Sequence, residues 1–130
     1  MRKNLKKLLG VALASALIMG TGGITTYAAD TIEGTEVGAS TTTNSNSATA
    51  VTSYSRPATI KAQAFVSYTY NDLFLESSSS QNTASIGGVS ATAYVGIPKG
   101  AVTGGRGEHY ITTSSGTNWH KTTRTGHTKN

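Results

Sequence analysis

The stretch TIKAQAFVSYTY, residues 59–70, decides how this chain is read. Ile60, Ala62, Ala64, Val66, Tyr68 and Tyr70 fall on one parity, and Thr59, Lys61, Gln63, Phe65, Ser67 and Thr69 on the other. Successive side chains of a strand point to opposite faces, so alternation over this length marks a half-buried β-strand. Asn71-Asp72 then offers turn chemistry before a short apolar piece, LFLE. A second stretch, VSATAYVGI at 89–97, repeats the pattern with Val89, Ala91, Ala93, Val95 and Ile97 inward. Pro98-Lys99-Gly100 closes it as a turn.

Outward from these two strands the punctuation is all-β. SSSSQN at 77–82 and the glycine-rich TGGRG at 103–107 read as loops, and Gly87-Gly88 opens the second strand. EHYITTS (108–114) and NWHKTTRT (118–125) flank a Ser-Gly turn as a last hairpin. Four inward alanines, at 62, 64, 91 and 93, imply two closely packed sheets or a face completed by a second copy. The expected fold is all-β, a small antiparallel β-sandwich or partly open barrel of about 4–6 short strands. It spans 57–130 and ends in a polar, mobile tail. Residues 29–56, rich in Thr, Ser, Ala, Asn and Gly, carry few large apolar groups to offset ordering entropy. They read as an extended or disordered lead-in, with a weak strand at Ala48–Tyr54.

The first 28 residues read as a secretory signal peptide. Arg2, Lys3, Lys6 and Lys7 precede an apolar run from Leu8 to Met19 and a small-residue exit. About a dozen apolar residues fall short of the roughly 20 that span a bilayer. Thr26 and Ala28 supply small side chains three and one residues before a cut after Ala28, whereas a cut after Ala29 puts Tyr27 in the small pocket. The expectation is a secreted, extracellular protein that meets the membrane only during export, in a Gram-positive style.

Export changes the charge reading. The whole chain is formally +5, which would suggest an acidic partner. Four of its eleven cations leave with the signal and all six acids stay, so the mature chain is only +1. A case for nucleic acid would therefore rest on a discarded segment. With no cysteine, the chain has no disulfide, thiolate metal site, cysteine nucleophile or lipidation site.

All three histidines and the only tryptophan lie in GEHYITTSSGTNWHKTTRTGH, residues 107–127. A two-residue turn at Ser115-Gly116 puts Thr112 opposite Trp119 and Ile111 opposite His120. His109 then lies diagonal to His120, just within reach of a shared metal. A loop one residue longer sends His120 to the opposite face. Zinc also wants more ligands, and His127 sits in the tail, so no metal or cofactor is expected and the histidines are placed at the surface or half-buried. In the two-residue register Trp119 shares a face with Tyr110, Thr112, Lys121 and Thr123. Tyr110, Trp119, Lys121 and Arg124 are the candidate ligand surface, suited to a sugar or an anionic wall polymer. The competing role for Tyr110 and Trp119 is in the core, which is the expectation adopted.

Catalysis lacks its parts. Asp72, Glu76 and Glu108 are the only acids after residue 56, and no phosphate loop or nucleophile elbow is present. The expected function is a secreted, non-catalytic β domain that binds an envelope polymer or self-associates at the cell envelope or matrix. An exported bacteriocin-like antimicrobial protein is the alternative, and a small secreted hydrolase comes behind both. Open edges on the two main strands favour self-association.

Overall fold

The computed structural model describes residues 23–85 and 89–130. The apolar run of the expected signal and Gly87-Gly88 lie outside the described residues. Among the described residues eight strands form two antiparallel sheets: β1 (Ile24–Ile32), β2 (Thr35–Thr43), β3 (Ser47–Tyr54), β4 (Ala58–Tyr70), β5 (Leu73–Ser85), β6 (Val89–Gly96), β7 (Ala101–Thr113) and β8 (Asn118–Gly126). One sheet has the order β1-β2-β3-β6 and the other β5-β4-β7-β8. The architecture is thus an antiparallel sandwich, with more and longer strands than the composition suggests.

The two deciding stretches behave as their alternation requires. Ile60, Ala62, Ala64, Val66 and Tyr68 of β4 and Ala91, Ala93 and Val95 of β6 are buried, and they meet in one core with Ile32, Val37, Tyr54 and Ile111. Tyr70, at the end of the alternation, is 37% exposed. The inward alanines therefore mark sheets packed face to face within one chain, and β4 is a central strand paired on both sides. Asn71 and Asp72 both adopt positive φ, making the two-residue turn between β4 and β5.

Four segments differ from expectation. Residues 29–56, expected as an extended or disordered lead-in with a weak strand at Ala48–Tyr54, supply most of three paired strands of the first sheet, and β1 begins earlier still, at Ile24. Threonine supplies the reason. Its β-branched side chain favours extended backbone, and when buried its hydroxyl finds another hydroxyl. Thr41 Oγ1 meets Thr123 Oγ1 at 2.5 Å and Thr43 Oγ1 meets Thr125 Oγ1 at 2.5 Å, both across the sandwich. Ala28, after which cleavage is expected, sits in the middle of β1 opposite Ala39.

Residues 77–82 continue β5, and 103–107 belong to β7. The glycines of β7 serve close approach rather than loop flexibility. A Cβ on Gly105 would strike the Thr43 methyl, and one on Gly107 would strike Thr41 Oγ1 and lie 3.1 Å from Ala50 Cβ. Threonines of one sheet thus fit against bare backbone of the other. One extra residue, Thr103, bulges from β7 where its pairing with β4 shifts between Ser67 and Tyr68.

The C-terminal tail is pinned instead of mobile. His127 N–H donates to Thr103 C=O at 2.9 Å, Lys129 N–H donates to Ser67 Oγ at 2.8 Å, and the His127 ring stacks on Phe74. Substituting Gly107 by alanine should lower stability by about 1–3 kcal/mol, the usual cost of overpacking a tight interior. Urea unfolding should show a lower midpoint at unchanged slope.

Candidate functional site

The last hairpin decides which side chains can act together. Thr113 N–H donates to Thr117 C=O at 2.9 Å, leaving three loop residues, Ser114 to Gly116, with Gly116 at φ +95°. Ile111 therefore opposes Trp119, Tyr110 opposes His120, and His109 opposes Lys121. This is the longer-loop register. His109 points into the sandwich and His120 out of it, so the two cannot share a metal. Among the described residues no three His, Asp or Glu side chains converge as metal ligands.

His109 is wholly buried, contrary to the surface or half-buried placement expected for it. Its Nδ1 lies 2.8 Å from Thr52 Oγ1 on the opposite sheet, and its Nε2 lies 2.8 Å from Thr123 Oγ1 beside it. Counting protons fixes the tautomer. Thr52 spends its hydroxyl proton on Lys61 C=O at 3.0 Å, so it can only accept from His109 Nδ1–H. Neutral His109 then accepts at Nε2 from the Thr123 hydroxyl. Thr123 Oγ1 in turn accepts from Thr41, completing a directed chain through both sheets. Burial lowers the His109 pKa from 6.5 to about 4; the Glu108 charge works against this shift and His120 works with it.

The candidate ligand residues divide between two faces. Trp119 faces inward and packs against the core, with Nε1–H donating to Asp30 Oδ2 on β1 at 2.8 Å. Lys121 follows His109 parity but sits exposed on the edge strand β8. Tyr110 does not face the core. It lies on the outer face of the second sheet, where its ring stacks on His120 at 4.6 Å between centroids, and Lys61 Nζ stands 5.1 Å from the ring centre. Arg124 is exposed on the same face, opposite Arg106.

Glu108 organises this outer face, a role that no sequence motif signals. It accepts from His120 Nε2 at 2.9 Å and from Thr122 Oγ1, and pairs with Arg106 at 2.5 Å. Burial by itself raises the Glu108 pKa, but the hydrogen bonds from Thr122, His120 and Arg106 outweigh it and hold the carboxyl below the ordinary range. Arg106 lies flat on Phe65, its guanidinium carbon 3.7 Å from the ring centre, and reaches Glu76 at 3.7 Å. Lys61 and Arg124 add two positive charges beside a cluster in which the one cation, Arg106, serves two carboxylates, Glu76 and Glu108.

At one end of the sandwich, Glu33, Tyr54, Arg56, Pro57, Ser114 and Ser115 line a cleft of about 220 Å³. The Ser115 and Thr113 hydroxyls hold the Glu33 carboxyl below its usual pKa. Among the described residues Glu33 is the only acid in that lining. Asp72 sits in a turn, and Glu76 is engaged by Arg106 and by Asn130. Comparison with protein-family models, curated proteins and solved structures gives no match.

The lowered His109 pKa has a stability consequence of definite sign. The unfolded chain takes up a proton below about pH 6.5 and the folded chain resists it to about 4, so stability falls as pH drops through that window. The full loss is about 3 kcal/mol, reached below pH 4. Glu108 adds a loss of the same sign at more acid pH, as its lowered pKa is crossed. His109→Leu should cost about 1–3 kcal/mol at pH 7.5, through the hydroxyls it leaves unpaired. That deficit should shrink by pH 4.5 in urea titrations; parallel pH profiles for variant and wild type would contradict the assignment.

Proposed function

We propose that this protein is a secreted, non-catalytic β domain that binds an anionic polysaccharide or related polymer of the cell envelope or matrix through the outer face of its second sheet. The observation that carries the reading is the Lys61–Tyr110–His120 stack, with Arg124 on the same face. Lys61 and His120 flank the Tyr110 ring on its two sides, so the stack offers its exposed edge and hydroxyl to a sugar, and the flanking cations suit acidic groups. The platform stands on paired strands of a rigid sheet, so little ordering entropy opposes binding. Export is supported by the basic start, apolar run and small-residue exit of the first 28 residues.

Trp119 is not the residue to test, because its loss would break the bond to Asp30 and disturb the core. Lys61→Ala and Tyr110→Ala leave the interior intact. Each should weaken retention of the mature chain on purified wall polysaccharide by roughly 2–30-fold, the worth of a cation–π or stacking contact of about 0.5–2 kcal/mol. Glu36→Ala, on the other sheet, should bind as wild type. Equal retention of all four proteins would contradict this reading.

A further inference from the structure

Cleavage after Ala28 would cut β1 in two. Before the cut, β1 covers the whole edge of β2, from the Ile24–Thr43 pair to the Ile32–Thr35 pair. Hydrolysis of the Ala28–Ala29 peptide bond by the export peptidase consumes one water. It leaves an ammonium group on Ala29 and releases Ala28 as a carboxylate. The remaining stub, Ala29–Ile32, still pairs with Gly38, Val37, Glu36 and Thr35. It is further held by Asp30, which accepts from Trp119, and by Ile32, which is in the core. Ala39, Ser40, Thr41, Thr42 and Thr43 lose their partners on that side.

We propose that a second copy of the mature chain fills this opening with its own Ala39–Thr43, paired antiparallel about a two-fold axis at Thr41. This rests on the export reading above and names the surface through which the exported protein self-associates. The apolar faces of β4 and β6 are already covered inside the sandwich, so they do not supply that surface.

Register and length both fit. β1 runs antiparallel to β2, as the partner's β2 would, so one replaces the other in direction. Ala39 would face the partner's Thr43, Ser40 the partner's Thr42, and Thr41 the partner's Thr41. Residues 39, 41 and 43 belong to the inward parity and residues 40 and 42 to the outward one, so every pair keeps both side chains on a consistent face. The partner's strand ends at Thr43, because the chain turns at Asn44, where N–H donates to Ser47 C=O. It therefore stops where the stub of the first copy begins. Each β2 edge is covered by four residues of its own stub and five of its partner.

The chemistry of the edge favours such pairing. ASTTT at 39–43 contains no charge and no proline, the usual devices that keep edge strands apart. Threonine and serine hydroxyls bond across paired strands, as Thr25 Oγ1 already does with Thr42 Oγ1 at 2.5 Å. The partner's Ser40 takes the place opposite Thr42 that Thr25 vacates. Five residue pairs make a small contact, so the dimer should be weak and concentration-dependent.

The test uses the protein exported by a secreting host. Intact mass gives its first residue, and sedimentation from micromolar to near-millimolar concentration gives its state. A chain starting at Ala29 whose mass rises toward twice the monomer supports the proposal. Ser40→Lys with Thr42→Lys puts like charges opposite each other across the axis and should keep the chain monomeric. Ser40→Glu with Thr42→Lys puts opposite charges there and should restore the dimer, which separates loss of pairing from loss of fold. A chain that starts at Ala29 but stays monomeric, or a double-lysine variant that dimerises like wild type, overturns the pairing while leaving export standing. A first residue upstream of Ile24, or no export, overturns the cleavage on which it rests.

Discussion

The neutral imidazole of His109 ties the two sheets together at the centre of the molecule. One ring nitrogen donates to Thr52 on the first sheet and the other accepts from Thr123 on the second. An apolar residue there could fill the space but could not satisfy two buried hydroxyls from opposite sides. The same requirement spreads outward. Thr123 meets Thr41, Thr125 meets Thr43, and the glycines of β7 leave room for those threonines to approach. One half of the interior is thus held by hydroxyls and a ring, and the other by Ile60, Val66, Val95 and the alanines. Buried polar groups are stable in so compact an interior when they have partners, and these bonds give one to His109, Thr41, Thr43, Thr52, Thr123 and Thr125.

That division explains which parts of the fold could be read from sequence. β4 and β6 were legible because aliphatic side chains alternate with polar ones. β2 and β3 alternate as well, with Val37, Ala39, Thr41 and Thr43 buried on one strand and Ala48, Ala50, Thr52 and Tyr54 on the next. There the inward residues are mostly alanine and threonine, which a count of large apolar groups passes over. Their burial becomes favourable only with hydroxyl partners some eighty residues away, and no local pattern announces those. The TGGRG segment misled for a related reason: glycine usually signals a loop, but here it marks where another strand comes close.

The candidate site turned on a single residue of loop length. A two-residue turn would have put His109 and His120 on one face; the three-residue turn at Gly116 puts one in the core and the other on the surface. Tyr110 and Trp119 separate in the same way, Trp119 toward Asp30 and Tyr110 onto His120. Sequence could state the two registers but could not choose between them, since both turn types accept Ser and Gly. Tyr110, expected in the core, lies instead on the outer face with Arg124, and Lys61 and Glu108 join them only through pairing with β4 and within the hairpin. The outer face of the second sheet, proposed for a polymer, and the half of the β2 edge that the proposed cleavage would uncover, proposed for a second copy, are separate surfaces.

The hydrogen-bond chain through His109 is best tested by nitrogen-15 NMR of the imidazole in the folded protein, followed from pH 7.5 to pH 4. The wiring through Thr52 and Thr123 predicts a neutral ring carrying its proton on Nδ1, with no titration until pH approaches about 4. A ring protonated on Nε2, or one that titrates near 6.5, would contradict it.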